Sequence, residues 1–430
     1  MICNNIGINE KGHITFAGQD VCDLAQKYGT PLYLMDEDKI RENCRTYKAA
    51  MDTCFASALP VYASKAACFK RMYEIIAEEG FGIDVVSVGE IYTAMKAGMS
   101  LENAYFHSNN KTDFDIEFAI ENGVGYFVVD NEEELYAIER INDGNAQKQK
   151  VLLRLTPGID THTYEAVNTG KVDSKFGSAI ETGQAEEITR LALGMQNIAL
   201  AGFHCHIGSQ VFDSDTFLRG SEIMLSFAAQ MKQKYGYEMQ ELSLGGGYGV
   251  RYTEADPEID IAANIRQVSE CVKADCAKLG LQEPKLIMEP GRSIVADAGM
   301  TLYSVGTIKQ IPGYKNYVSI DGGMTDNPRY ALYGSEYTLF VANKAKEVAD
   351  FTADVVGRCC ESDDIIQPEV RLPKPVRGDI IAVCTTGAYN YSMASNYNRV
   401  ARPPVVMLCG GKSYQAVKRE SLDDLIANDL

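Results

Sequence analysis

Residues 61 to 87 read VYASKAACFKRMYEIIAEEGFGIDVVS, and this stretch decides the fold. VYAS and IDVVS are short and continuously apolar, as strands buried on both faces are. Between them, Phe69, Met72, Tyr73 and Ile76 share one helical face, and Gly80 supplies a stop signal. The stretch is therefore a strand, a helix and a second parallel strand. One lysine, Lys65, stands where the first strand ends. A lysine beside an apolar run ordinarily snorkels to solvent, whereas one with a lowered pKa can form a Schiff base. These residues alone favour the first reading.

The unit repeats along the chain. EIYTAMKAG places Ile91, Ala94 and Met95 on one face and stops at Gly98; DFDIEFAIENG stops at Gly123. Strands are expected at VYAS, IDVVS, AYFHS, YFVVD, VLLRL, LAGFHCHI, LSLGGGY and LIMEPG. Eight strands alternating with helices predict an α/β fold, a (β/α)8 TIM-type barrel, with a doubly wound open sheet as the competitor. Lys65, Ser87, His107, Asp130, Arg154, His206, Gly245 to Gly247, and Glu289 with Arg292 all fall at or just past strand C-termini. In a barrel these ends share one mouth, whereas an open sheet gathers residues chiefly at its switch point.

After residue 296 the texture changes to β-branched, glycine-punctuated runs such as TLYSVGTI, YVSIDGG, FTADVVG and PPVVMLCGG. These predict a separate all-β domain, sandwich- or barrel-like. The expected division is a barrel over 32–296, with 1–31 joining 297–430 in the β domain.

The bulk numbers exclude several functions. A net charge of −18 leaves no basic footprint for nucleic acid or an anionic membrane, so neither is an expected partner. The start, MICNNIGINEKGHITF, lacks the basic and apolar regions of a secretion signal, and no apolar run reaches membrane-spanning length. A cytoplasmic location is expected. Twelve cysteines scattered without a CxxC pair read as reduced, small buried hydrophobes rather than a disulfide or zinc framework. Vicinal Cys359 and Cys360 are the exception.

Three motifs carry chemistry. In LSLGGGYG, residues 242 to 249, three glycines follow the seventh strand, either as a plain tight turn or as a loop whose N–H groups surround a phosphate. GFHCHIGSQ supplies His204, His206 and Ser209, which read as a metal pair or as a ring lying against a planar cofactor. No carboxylate or cysteine at a convincing spacing completes a metal set, so none is expected. IMEPGRSIVADAG ends the eighth strand with Glu289 and Arg292, a surface ion pair or a carboxylate set against a pyridine nitrogen.

Together, YASKA, HIGSQ, LGGGYG, EPGR, DGGMTDNPRYALY, CCESDD and GAYNYSMASNYN resemble the diaminopimelate decarboxylases, within the barrel-type (fold type III) pyridoxal-phosphate-dependent decarboxylases. The matches run in the family's order from residue 61 to about 404. The resemblance implies pyridoxal 5'-phosphate as cofactor and decarboxylation of meso-2,6-diaminopimelate to L-lysine. Lys65 matches the lysine that holds the cofactor as a Schiff base, and His206 the ring stacked on it. Glu289 matches the pyridine-nitrogen partner. Ser209 and Gly245, Gly246 and Gly247 match the phosphate binders, with Gly291 and Arg292 beside the cofactor and Tyr389 near both phosphate and substrate.

Arg292, Arg329 and Tyr333 match the clamp on the distal carboxylate, a task suited to bidentate guanidinium groups. Glu361 matches the acid that holds the distal ammonium. Cys360 matches the cysteine beside the reacting carbon, and either it or Lys65 delivers the final proton. The resemblance places Cys360 and Glu361 in the partner subunit's site, so a homodimer with shared active sites is implied. Two positions depart from the family pattern: Tyr330 stands where proline is frequent, and Ser108 where glycine is usual.

Decarboxylases of ornithine, arginine or carboxynorspermidine are the nearest rivals, but they need no clamp for a second carboxylate. A racemase of the same barrel type sets arginine against the pyridine nitrogen, and Glu289 argues against it. A catalytically dead relative is disfavoured because the lysine, histidine, cysteine and both arginines are present.

Overall fold

The computed structural model describes residues 1–159 and 174–430. The chain forms two compact units, one comprising Cys44–Gly249 with Glu258–Gly291, the other Met1–Asn43, Val250–Pro257 and Arg292–Leu430.

The first unit is a closed parallel barrel. Its eight strands are Ala58–Ala63, Gly82–Val85, Ala104–Phe106, Tyr126–Val129, Gln149–Thr156, Ile198–His204, Glu241–Ser243 and Lys285–Met288. Each pairs in parallel with the next, and the eighth pairs with the first through Ile287 and Leu59, which closes the ring. The expected barrel is thus borne out over the open sheet. Gly82–Val85 and Tyr126–Val129 are buried at every position, because helices cover the outside while side chains fill the inside. The helices Lys70–Glu78, Val88–Lys96 and Asp113–Glu121 fall where the apolar periodicity puts them. Gly80, just past the first, adopts φ +76°, a left-handed conformation that costs a side-chain-bearing residue about 1–2 kcal/mol.

The lumen is filled by Val61, Tyr105, Tyr126, Val128, Leu152, Ala201 and Ile287. Tyr105 and Tyr126 stack with ring centroids 4.4 Å apart, and their hydroxyls donate to the Glu241 carboxylate at 3.0 and 2.8 Å. Glu241 opens its strand, so this polar plug closes the N-terminal end of the barrel. The C-terminal end is left for chemistry.

The second unit is built on sheet. Gly299–Ile311 is its longest strand and pairs antiparallel with Lys315–Ile320, Ile380–Cys384 and Leu32–Asp36. Leu32–Asp36 also runs parallel to Val405–Cys409. A small three-stranded sheet, Ile6–Ile8, Ile14–Phe16 and Gln19–Asp20, packs Ile6, Ile14 and Phe16 into the same core as Leu32, Leu302, Ala382 and Val406.

The division therefore differs from the expected one. LYLMD, residues 32 to 36, belongs to the β unit instead of opening the barrel, and Val250–Pro257 and Arg292 also belong there. A fully buried five-residue run looks the same in either kind of sheet, so its register partners, not its composition, settle where it lies. Among the described residues no helix is long and apolar enough to cross a membrane.

Candidate active site

Lys65 sits in a single 3-10 turn, Ser64–Ala66, at the C-terminus of the first barrel strand. Ser64, Ala66 and Ala67 are buried while Lys65 itself is exposed, so the turn directs one amine out of an apolar bed. The chain end of the eighth strand supports it: the Ala63 N–H donates to the Pro290 carbonyl at 3.1 Å. A Cβ on Gly291 would stand 2.9 Å from the Ala63 Cβ and 3.2 Å from that of Ala66, so only glycine lets the two strand ends approach this closely.

Beyond the eighth strand, Glu289 is 94 % buried, its relative exposure being 6 %. Its carboxylate accepts from the Ser243 hydroxyl at 2.8 Å and contacts His204 Nε2 at 3.1 Å, while His107 Nε2 lies 3.5 Å away. Burial opposes the charge of Glu289, but His204 and His107 outweigh it and hold the carboxyl well below its usual range. The same Nε2 of His107 also faces Asp84, 3.8 Å away, whose carboxyl is pushed up by burial against the pull of that histidine. Burial pulls His204 down to about 4, so its ring is neutral at pH 7. His206 is depressed too, by burial first and then by the positive charges of Lys65 and Arg154.

The glycine run is both tight turn and donor loop. A Cβ on Gly245 would come within 2.6 Å of the Cys205 carbonyl oxygen, one on Gly246 within 2.2 Å of the Glu289 carbonyl oxygen. Gly247, at φ +125°, presses against the Gly208 carbonyl in the HIGSQ loop. The loops of the sixth, seventh and eighth strands are thereby locked together. Among the described residues no acceptor takes the N–H of Gly246 or Gly247, which leaves two donors of the kind a phosphate binds.

The β unit contributes a second cluster. The guanidinium carbon of Arg292 lies 4.8 Å, and that of Arg329 5.2 Å, from the ring centroid of Tyr389, and Arg329 also lies 5.3 Å from the Tyr333 ring. Both arginines are 7 % exposed. Arg292 Nη1 donates to the Tyr252 hydroxyl at 2.7 Å, whereas among the described residues Arg329 Nε has no hydrogen-bond acceptor. Tyr389 holds its place at φ +67°, a conformation rare for a bulky side chain. Two buried guanidinium groups around one aromatic ring, one with an unused N–H, form a receptor for an anion.

Cys360 and Glu361 occupy an exposed turn of the same unit. Its base is the buried Asp364, whose carboxylate accepts the N–H of Met324 at 2.6 Å and of Cys359 at 2.7 Å. The Cys360 N–H donates to Asn398 Oδ1 at 2.8 Å, and the Tyr397 hydroxyl donates to Glu361 Oε2 at 3.5 Å. These bonds run to GAYNYSMASNYN and not to the arginine cluster.

A family model described as pyridoxal-dependent decarboxylase, pyridoxal binding domain, matches residues 37–296. Diaminopimelate decarboxylase of Bacillus methanolicus is 44 % identical over 96 % of this chain and 96 % of its own, and that of Bacillus subtilis 42 % identical over 98 % and 96 %. The crystal structure of the M. jannaschii diaminopimelate decarboxylase in co-complex with L-lysine is 32 % identical, with a TM-score of 0.91 over 99 % of this chain and 98 % of that one. The chain belongs to the diaminopimelate decarboxylase family.

Membership makes pyridoxal phosphate the cofactor, and the residues present fit it: an amine on a buried bed, an ionised carboxylate at depth, and free N–H groups on a glycine loop. The structure brings Lys65, His206, Glu289, Gly291 and the three glycines to the C-terminal end of the barrel unit, with Ser209 in the HIGSQ loop. Arg292, Arg329, Tyr333 and Tyr389 come together in the β unit. Glu289 and Arg292 do not face each other as the surface-pair reading has it, since Glu289 turns to His204 and Ser243, and Arg292 to Tyr252. Ser87, expected at the mouth, is the N-cap of the helix Val88–Lys96.

Sequence reasoning missed three supporting contacts: His107 and His204 beside Glu289, and Tyr252 as partner of Arg292. Glu289 lies 85 positions from His204, and only the closed barrel joins them. The carboxylate that seemed lacking beside His204 is this one.

Proposed function

We propose that the chain decarboxylates meso-2,6-diaminopimelate at one of its two amino-acid centres, releasing carbon dioxide and L-lysine as the last step of lysine biosynthesis. The arginine pair about Tyr389 carries this reading, because a substrate that loses one carboxylate and keeps another needs a fixed receptor for the one it keeps. Full-length similarity to diaminopimelate decarboxylases supports the same substrate.

Lys65 would hold the cofactor through its amine, the nucleophile at the end of the first barrel strand. What pyridoxal phosphate supplies, when bound, is an electron sink for the pair left behind as carbon dioxide departs. Glu289, kept anionic, holds a proton on the pyridine nitrogen and so deepens that sink. His206, kept neutral by burial and its cationic neighbours, would lie against the cofactor without adding positive charge. Ser209 and the N–H groups of Gly246 and Gly247 would take the phosphate, with Gly245 shaping the loop and Gly291, Arg292 and Tyr389 beside it.

Arg292, Arg329 and Tyr333 grip the distal carboxylate and Glu361 the distal ammonium. That grip would fix the orientation of the substrate's other end, a positioning task worth several kcal/mol in well-ordered sites. Cys360 or Lys65 would deliver the proton that replaces the lost carboxylate. Exposure of Cys360 and Glu361 supports their donation to a second copy of the chain, hence a homodimer with two shared sites. A cytoplasmic location suits a biosynthetic enzyme with this acidic surface.

The test is carbon dioxide release by purified protein with pyridoxal phosphate from meso-diaminopimelate, ornithine, arginine and lysine, beside Lys65→Ala. Release from diaminopimelate alone, absent in the variant, is expected. Preference for a substrate with one carboxylate would overturn the roles of Arg329, Tyr333 and Glu361.

A further inference from the structure

The eight strand ends gather more titratable groups than the proposed reaction employs. Glu289 is flanked by His204, from the end of the sixth strand, by His107, just past the third, and by Ser243, from the seventh. Asp84, at the second strand, shares the Nε2 of His107 with Glu289, at 3.8 Å against 3.5 Å. The rings of His107 and His204 meet edge to face with centroids 4.9 Å apart, and each of the two residues is more than nine-tenths buried. Among the described residues His204 Nδ1 has no partner, so the ring spends its one useful nitrogen on Glu289.

We propose that His204 and His107 are positioning residues that fix the orientation and ionisation of Glu289, and through it the protonation of the cofactor's pyridine nitrogen. The inference rests on the reading of Glu289 as the nitrogen's partner.

Geometry allows little else. A carboxylate oxygen accepts along two lone-pair directions, so two oxygens offer roughly four sites. Ser243 and His107 approach Oε1, and His204 approaches Oε2. The carboxylate cannot rotate without breaking these contacts, and its remaining lone pair is left for one further donor. His204, neutral, donates through Nε2–H, which fixes its tautomer. Removing the His204 donor, or the His107 nitrogen that stands 3.5 Å from Oε1, would leave a buried carboxylate that takes up a proton in place of the pyridine nitrogen. Arg154, Asp84 and Lys65 complete the charged surroundings and remain in place in the variants below.

The test uses holoenzyme reconstituted with pyridoxal phosphate labelled with 15N in the ring. His204→Phe keeps the ring volume and removes the donor; His204→Gln restores an N–H near the place of Nε2. His107→Phe and His107→Gln form the second pair. In the Phe variants the 15N resonance should move from the pyridinium toward the neutral pyridine position, and kcat should fall at least tenfold with KM for diaminopimelate within about twofold. The Gln variants should recover much of both. If a Phe variant does not fold, His204→Asn, too short to reach the carboxylate, takes its place.

A resonance that stays at the pyridinium position in every histidine variant overturns the proposal. Glu289→Gln in the same series separates the two ideas: a shift there without one in the histidine variants sinks only this inference. No shift even in Glu289→Gln sinks the reading of Glu289 itself.

Discussion

The hydroxyl of Tyr252 accepts a hydrogen bond of 2.7 Å from Nη1 of Arg292, within one compact unit although forty positions separate the two residues in sequence. Tyr252 is itself buried and set edge to face against Tyr337 at 5.5 Å, so the acceptor is rigid. A hydrogen bond to a charged group contributes about 1.5–3 kcal/mol. Tyr252→Phe should therefore raise KM for diaminopimelate about tenfold while kcat changes by no more than about twofold. Steady-state kinetics decide it; an unchanged KM would show that Arg292 is oriented by its other contacts.

Asp364 anchors the turn that carries Cys360 and Glu361. Its carboxylate takes two backbone N–H groups, and its oxygens lie where a Cβ on Gly357 would come within 2.2 Å and one on Gly323 within 2.5 Å. Asp364→Ala strands both donors beside a small void and should destabilise the chain by about 2–4 kcal/mol. Urea denaturation reads the loss. Activity toward diaminopimelate should fall further than stability explains, because the turn also aims Cys360 and Glu361; a variant as active as the parent under folding conditions would detach the turn from function.

Ser108 stands at φ +142°, a region glycine favours. Its hydroxyl accepts the Asn110 N–H at 3.2 Å and its carbonyl accepts from buried Lys111 at 3.1 Å, which holds the strained backbone. Strain of this kind costs about 1–3 kcal/mol, and glycine's larger unfolded-state entropy returns about 0.5–1. Ser108→Gly should raise stability by about 1 kcal/mol, visible as a higher urea midpoint. A lower midpoint would mean that the Ser108 hydroxyl contributes more than the backbone strain takes away.

The barrel was legible because its strands are buried on both faces and its helices end in glycine, both local signals. LYLMD carried the same signal for a different sheet, and no local rule separates a barrel strand from the centre of a nine-stranded β sheet. Val250–Pro257 carries no period at all, and its membership in the β unit depends on Tyr252 and on the Thr338 hydroxyl that donates to the Tyr252 carbonyl. Lys65, Glu289 and the arginines were legible as residue types at strand ends or in motifs. That His107, His204, Tyr252 and Asp364 support them was not, although His107 and His204 were themselves visible at strand ends, because a partner across a barrel or between two β loops leaves no spacing to read.

Asp326 makes stability depend on pH. It is fully buried, and burial pushes its carboxyl up to about 7 despite hydrogen bonds from the Tyr303 hydroxyl and the Gly323 N–H. The unfolded chain ionises the group near 3.8. The folded state therefore holds the extra proton between these values, so the group's contribution is complete below about 4 and is lost as pH rises through 7. Over that window it amounts to at most roughly 4 kcal/mol, at 1.36 kcal/mol per unit. Asp326→Asn should flatten the stability profile between pH 4 and 7, measured by denaturation at fixed ionic strength. A profile parallel to the parent's would place the titration elsewhere.

Shared sites make a sharper claim than dimerisation alone. If Lys65 acts in one subunit's site and Cys360 is lent by its partner, Lys65→Ala and Cys360→Ala homodimers each lack one group in both sites. A mixed dimer has one site with both groups missing and one with both present. Random re-pairing yields half mixed dimers, each with one of two sites intact, so the mixture should recover about a quarter of parental activity. The subunits are mixed under mild denaturation, refolded with pyridoxal phosphate and assayed against unmixed controls treated alike. If Lys65 and Cys360 served the same subunit's site, every site in every mixture would still lack one of them and activity would not return.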